Sequence, residues 1–217
     1  MMSVKIIYID RHLCICVKPF GIPSEGDGMP ALLKSSLSVE QIFPVHRLDQ
    51  VAGGLMVFAL TKEAAAAMTG LLSGRDTIKE YLAVVSGKPE ANEGIFSDLL
   101  FHDQRKNKTF VVDKERKGVK KAELAWILQD VAESGETPLS LVRVALHTGR
   151  THQIRVQFAS RKMPLVGDGK YGSRKKAPNL ALWCCRLAFR HPFNDEMVDF
   201  SLQPPVDQFP FDLFENH

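Results

Sequence analysis

The stretch PVHRLDQVAGGLMVFALT, residues 44–61, constrains the fold more than any other part of this 217-residue chain. From Gly54 to Leu60 the sequence GLMVFAL contains no polar residue and no alternation, so it reads as a strand buried on both faces. A chain of this length can supply the cover, because a fold of its size hides roughly 70–75% of its unfolded surface. Just before the strand stand His46, Arg47 and Asp49, a carboxylate beside two potential cations. A carboxylate entering a buried strand is partly desolvated, and it stays ionised only where a cation or hydrogen-bond donor holds it. A turn Asp that bonds its own backbone fits the same pattern.

The remaining segments mix strands and helices without repeats. VKIIYID and HLCICVK read as a short strand pair, and the Pro- and Gly-rich KPFGIPSEGDG that follows argues against regular structure. Thr61 stands where a helix N-cap belongs, and KEAAAAMTGLLSG is helical by propensity up to Gly74. IKEYLAVVSG, KTFVVD, KKAELAWILQDV and PLSLVRVALH continue as strands, as do LALWCCRLAF and EMVDFSL near the end. THQIRVQFAS is expected as a helix capped by Thr151, with His152 and Arg155 on one face and Ile154 and Phe158 on another. The first face would present donors and form an anion site at the helix start, or be an ordinary polar surface. Strand follows strand more often than helix, which predicts α+β with a mixed, largely antiparallel sheet flanked by helices. No linker divides the chain, so residues 1–217 are expected to form a single domain.

Charge is unevenly spread. Residues 101–176 hold 17 Lys and Arg against 8 Asp and Glu, leaving 11 against 17 for the rest of a chain whose net charge is +3. RKNKTFVVDKERKGVKKAEL and RKMPLVGDGKYGSRKK are the densest basic stretches, and they serve either as solvated hairpins or as a face for a polyanion. Cys14, Cys16, Cys184 and Cys185 have spacings unlike those of zinc pairs and read as buried thiols. The first residues lack the pattern of a secretory signal, and no apolar run approaches a bilayer span. A cytoplasmic protein without membrane contact is expected.

Six segments, in order, resemble the RluA-type pseudouridine synthases. IIYIDRHLCICVKPFGIPS is similar to that family's opening strand and Lys-Pro segment, and HRLDQVAGGLMVFALTK to its HRLDxxTSGLLLLAKT motif. KEYLAVVSG, HTGRTHQIRV, GDGKYG and LALWCCRLAFRHP resemble its KxYxAxVxG, TGRTHQIRVH, GDxxYG and LxLHAxxLxFxHP elements. Three places depart from the pattern: Ala52-Gly53 replaces Thr-Ser, Gln157 replaces His, and Trp183-Cys184 replaces His-Ala.

The resemblance implies the family's catalytic fold with a central RNA-binding cleft, in a short member lacking the N-terminal S4-like domain. It implies an isomerase that converts uridine in structured RNA to pseudouridine by base flipping, without a cofactor or metal. Asp49 would be the catalytic carboxylate, Arg155 the cation that keeps it ionised, and Tyr81 a residue that stacks on uracil or also moves its proton. Arg47 would enter the space left by the flipped base. Arg150, His152, Gln153 and Lys79 would contact RNA, while His46 would either contact RNA or close its loop. Transfer RNA is favoured over ribosomal RNA, since small relatives often act on short stem-loops, and a monomer is expected. Two rivals stand beside this reading. One is a metal hydrolase using His46, Asp49, His147 and His152, which lacks an HxH or HExxH element; the other is a catalytically silent RNA-binding protein on the same fold.

Overall fold

A computed structural model describes residues 4–74 and 77–214. In chain order the elements are β1 (Ile6–Ile9), β2 (Leu13–Lys18), α1 (Met29–Leu37), β3 (Phe43–Pro44), β4 (Gly53–Ala59), α2 (Lys62–Ser73), β5 (Ile78–Ser86), β6 (Glu93–Asp103), β7 (Lys108–Val112), β8 (Val119–Ala132), β9 (Leu139–Leu146), α3 (Gln153–Ser160), β10 (Leu182–Arg190) and β11 (Met197–Ser201). They gather into two compact units, Met1–Lys79 with Trp183–Leu202, and Glu80–Leu182 with Gln203–His217. The architecture is α+β, and within each unit the strand pairing is antiparallel except for the parallel pair named below.

In the first unit the strands run β1-β2-β4-β10-β11, with β3 also on β4. All seven residues of β4 are buried, as its uninterrupted apolar sequence predicts. β4 and β10 form the parallel pair, with Gly53 opposite Trp183 and Gly54 opposite Cys184. Gly54 is required twice over: its φ of +118° is one that L side chains rarely adopt, and a Cβ there would lie 2.4 Å from the backbone of Cys184. Helix α2 starts where expected, with Thr61 Oγ1 accepting from the Ala64 N–H at 3.1 Å, and it ends at Gly74. Helix α1 was not anticipated. Pro30 fits its first turn, where the missing N–H has no intrahelical partner to lose.

In the second unit the order is β5-β9-β8-β6-β7, antiparallel throughout. Strand β6 is likewise absent from the sequence expectation: its EGIFSDLLFHD has no clean alternation, because the exposed face carries Ile95, Leu99 and Phe101 beside polar residues. Helix α3 packs against β6 and β7. Phe158 meets Phe96 edge-on at 5.0 Å between ring centres, and Trp126 lies 5.6 Å from Phe96. All four cysteines are buried thiols outside any disulfide, as expected. No helix among the described residues is long and apolar enough to cross a membrane.

Candidate functional site

The Asp49 loop is held by the Pro- and Gly-rich segment ahead of it. Ser24 Oγ accepts from the Leu48 N–H at 3.0 Å and donates to the Leu48 carbonyl at 2.7 Å, so a single hydroxyl brackets the residue before Asp49. Gly21 and Gln50 exchange bonds: the Gly21 N–H reaches the Gln50 carbonyl at 2.9 Å, and Gln50 Nε2 reaches the Gly21 carbonyl at 2.9 Å. The Ala52 N–H closes a turn on the Asp49 carbonyl at 3.0 Å. Asp49 itself is half-buried.

Beneath the loop lies Lys18, 0% exposed. Its ammonium donates to the carbonyls of Pro19, Ile22 and Gln50 at 2.7–3.0 Å, which uses all three of its protons. Burial pushes its pKa down to about 8, and the Asp49 carboxylate opposes that shift. Lys18 is therefore a buried cation in the field of Asp49. Nothing in the local sequence around Lys18 marks it as buried beside a carboxylate.

The neighbours of Asp49 differ in character. Arg47 is exposed, with its guanidinium 3.9 Å from the equally exposed Glu25 carboxylate, a pairing worth little in water. His46 turns inward. Its Nε2 accepts from the Val57 N–H of β4 at 3.0 Å, and desolvation followed by the nearby charge of Lys79 lowers its pKa to about 3. It is thus a neutral imidazole that ties the loop to the strand. Lys79 donates to the carbonyl of Leu72 near the end of α2 at 2.8 Å, and burial lowers its pKa.

Gly53 and Trp183, two of the residues that depart from the resembled pattern, are sterically linked. A Cβ on Gly53 would lie 2.7 Å from the Trp183 ring, so a serine at 53 and a tryptophan at 183 cannot share this space without movement. The indole N–H of Trp183 donates to the Leu202 carbonyl at 3.0 Å, which fixes the ring in place.

In the second unit, Tyr81 is buried on β5 opposite Val144. Helix α3 begins one residue later than expected. His152, not Thr151, is the N-cap; its φ of +56° is left-handed, and its side chain makes no capping bond. The expected donor-presenting face is corrected as well, because Gln153 to Phe158 are all buried. Each polar side chain there bonds inside the protein. Gln153 Oε1 accepts from Thr148 Oγ1 and the Arg150 N–H, and its Nε2 donates to the Glu123 carbonyl. Gln157 Nε2 donates to Asp98 at 2.7 Å, and Asp98 also receives Arg161 at 2.9 Å.

Arg155, 4% exposed, forms a two-pronged pair with buried Asp168: Nε to Oδ2 at 2.7 Å and Nη2 to Oδ1 at 2.9 Å. The guanidinium carbon also sits 5.1 Å from the centre of the Tyr171 ring. The Tyr171 hydroxyl accepts from the Thr109 N–H at 2.8 Å and pairs with His152 Nδ1 at 2.9 Å. Burial raises its pKa and keeps it a phenol. Asp168 and Tyr171 thus fix the orientation of Arg155 from two sides. Both belong to GDGKYG, a segment whose side-chain roles have no periodic signature in the sequence. Arg150 is exposed, with Nε on the Lys121 carbonyl at 3.0 Å, and His147 pairs with Glu123 at 2.9 Å.

Residues 12–160 match the family model described as RNA pseudouridylate synthase. The dual-specificity RNA pseudouridine synthase RluA of Pasteurella multocida is 30% identical, over 93% of this chain and 93% of its own length. The ribosomal large subunit pseudouridine synthase D of Xanthomonas campestris is 31% identical, over 95% of this chain and 67% of its own length. Among solved structures, human RNA pseudouridylate synthase domain containing 1 shares the fold with a TM-score of 0.82, at 22% identity, over 94% of this chain and 84% of that one. The family match covers most of the chain and runs through both the Asp49 and the Arg155 segments, so the chain is a member of the RNA pseudouridine synthase family, of the RluA/RluD type, and an isomerase that acts on RNA.

Proposed function

We propose that this synthase isomerises uridines in structured RNA, with transfer RNA preferred and 23S ribosomal RNA as the other target. It works as one catalytic domain over residues 1–217, as a cytoplasmic monomer without a metal or other cofactor. The observation that carries this reading is that the stretch matched by the family, residues 12–160, contains Asp49, Tyr81 and Arg155 together. End-to-end similarity to a relative named for dual specificity supports more than one RNA target. Four cysteines kept as thiols suit a reducing compartment.

In the proposed reaction the bond between uracil N1 and the sugar C1′ breaks, with the Asp49 carboxylate attacking or stabilising C1′. The uracil turns within the site and its C5 bonds to C1′. The C5 proton then leaves, N1 carries a proton in the product, and atoms balance without a redox partner. Tyr81 stacks on the base and serves as the path for that proton. Arg155 supplies positive charge to the reacting groups, in an orientation held by Asp168 and Tyr171.

Arg47 and Arg150, both exposed, are the proposed RNA contacts, with Arg47 filling the space of the flipped base. His46, Lys79, His152 and Gln153 have polar atoms engaged within the protein and are assigned to shaping the walls that RNA meets. The test is tritium release from uracil C5 in bulk transfer RNA and, separately, ribosomal RNA. Release by the parental protein and none by Asp49→Asn is expected. Release that survives Asp49→Asn, or none from either RNA, would overturn the reading.

A further inference from the structure

The outer face of β8, β6 and β7 carries a patch that the reaction does not use. Pairing sets Phe101 opposite Phe110 and Leu99 opposite Val112 on one side, and Phe101 opposite Val119 on the other. Alternation along the strands places these five on one face. The opposite face supplies Leu100, Ala122 and Val111 to a core closed by Val156. None of the five is buried, and Phe110 is 37% exposed.

Cations border the aromatic rings. The Arg116 guanidinium lies 4.9 Å from the centre of the Phe101 ring, and the Lys108 ammonium 5.8 Å from that of Phe110. Leu99, Val119, Arg116, Lys121 and Glu115 line an open hollow of about 400 Å³ beside them. Residues 104–121, which frame the face, hold eight Lys and Arg against two acids.

Phosphate binding alone would use the charge but not the aromatic pair. A protein partner would use the apolar surface, but Lys is depleted at the centre of such interfaces. Ring faces for bases, interleaved with cations for phosphates, is the chemistry of unpaired nucleic acid, in which each base offers a free π-face. A duplex hides those faces in its own stack. We infer that this face binds unpaired nucleotides of the substrate RNA, with a base stacked on Phe110 and its phosphate held by Lys108, Arg116 and Lys121. The inference rests on the chain acting on RNA and is independent of which residue carries the isomerisation.

Fluorescence anisotropy with a labelled single-stranded oligouridylate, beside an RNA duplex of equal length, tests it on the full chain. Phe110→Ser is expected to weaken single-strand binding about tenfold and duplex binding less than about twofold, with the salt slope unchanged because no phosphate contact is lost. Phe110→Trp should restore affinity, since indole offers the same stacking surface. Charge reversal at Arg116 and Lys121 should instead flatten the salt slope. Unchanged single-strand affinity in Phe110→Ser, equal weakening on the duplex, or no oligouridylate binding by the parental protein would each overturn the proposal. So would a dimer that Phe110→Ser dissociates, since the face would then belong to a second copy. A negative tritium-release result alongside an intact Phe110 contrast would refute the catalytic reading and leave this one standing.

Discussion

The Asp49 loop and helix α3 both place polar side chains against buried structure, and they solve the problem of burial differently. In the loop, backbone carbonyls do most of the work. Lys18 is satisfied by three of them, and one serine hydroxyl brackets Leu48. In α3, charged and amide side chains answer one another: Arg155 has Asp168, Gln157 has Asp98, and Gln153 spans Thr148, Arg150 and Glu123. Carbonyl-held groups keep a buried ammonium in place without committing a second carboxylate to it. Side-chain pairs buried together are stable only while both partners remain, because breaking one strands the other's charge.

The largest effect should fall on the loop. Asp49→Ala is expected to lower isomerisation by about a thousandfold or more, with thermal unfolding and RNA affinity near parental values. A proportionate loss of RNA affinity would mean that Asp49 belongs to the scaffold, and the contrast with α3 would fail. Next comes Asp168→Ala, which leaves the buried Arg155 guanidinium without its fork and should cost about 3–5 kcal/mol of stability. Denaturant unfolding measures it, and a change under about 1 kcal/mol would show that α3 does not depend on paired charge.

A smaller effect tests the packing beside the loop. Gly53→Ser forces a Cβ onto the Trp183 ring and should destabilise the protein by about 1–3 kcal/mol, as overpacking does. Combining it with Trp183→His should recover part of that loss, and strict additivity in the double-mutant cycle would show the two departures to be independent. The smallest effect concerns pH. His46 has its folded pKa depressed to about 3, whereas an unfolded histidine titrates near about 6.5. Its contribution is therefore fully present above the unfolded value and is lost as pH falls from there toward the folded one. Chemical-denaturation midpoints at pH 7 and pH 4.5 should fall less steeply in His46→Gln than in the parent, and equal slopes would remove His46 from the account.

Local sequence signals correspond to the structure most closely. The Thr61 cap and the Gly74 stop rest on contacts within a few residues, and the apolar run of β4 on its own uninterrupted composition; each appears as expected. Strand β6 and helix α1 carry no such local signal, because the one is patterned by an exposed apolar face and the other follows a Pro- and Gly-rich segment and starts without a side-chain cap. On α3 the spacing of His152 and Arg155 suggests one donor-presenting helical face, whereas His152 is the left-handed N-cap and Arg155 is buried. The residues that bury it, Asp168 and Tyr171, come 13 and 16 positions after Arg155, where periodicity carries no information.

By itself, then, the sequence determined the strand and helix classes, the basic central segment and the order of motifs that identifies the family, since these follow from local propensity, patterning and residue identity. Tertiary structure decided which charges are buried and by what they are held: Lys18 under three carbonyls, Arg155 in the fork of Asp168, and Gly53 reduced to hydrogen by a tryptophan on the next strand. Desolvation and steric exclusion depend on what the folded chain brings near a side chain, and that is written in no window of sequence around it.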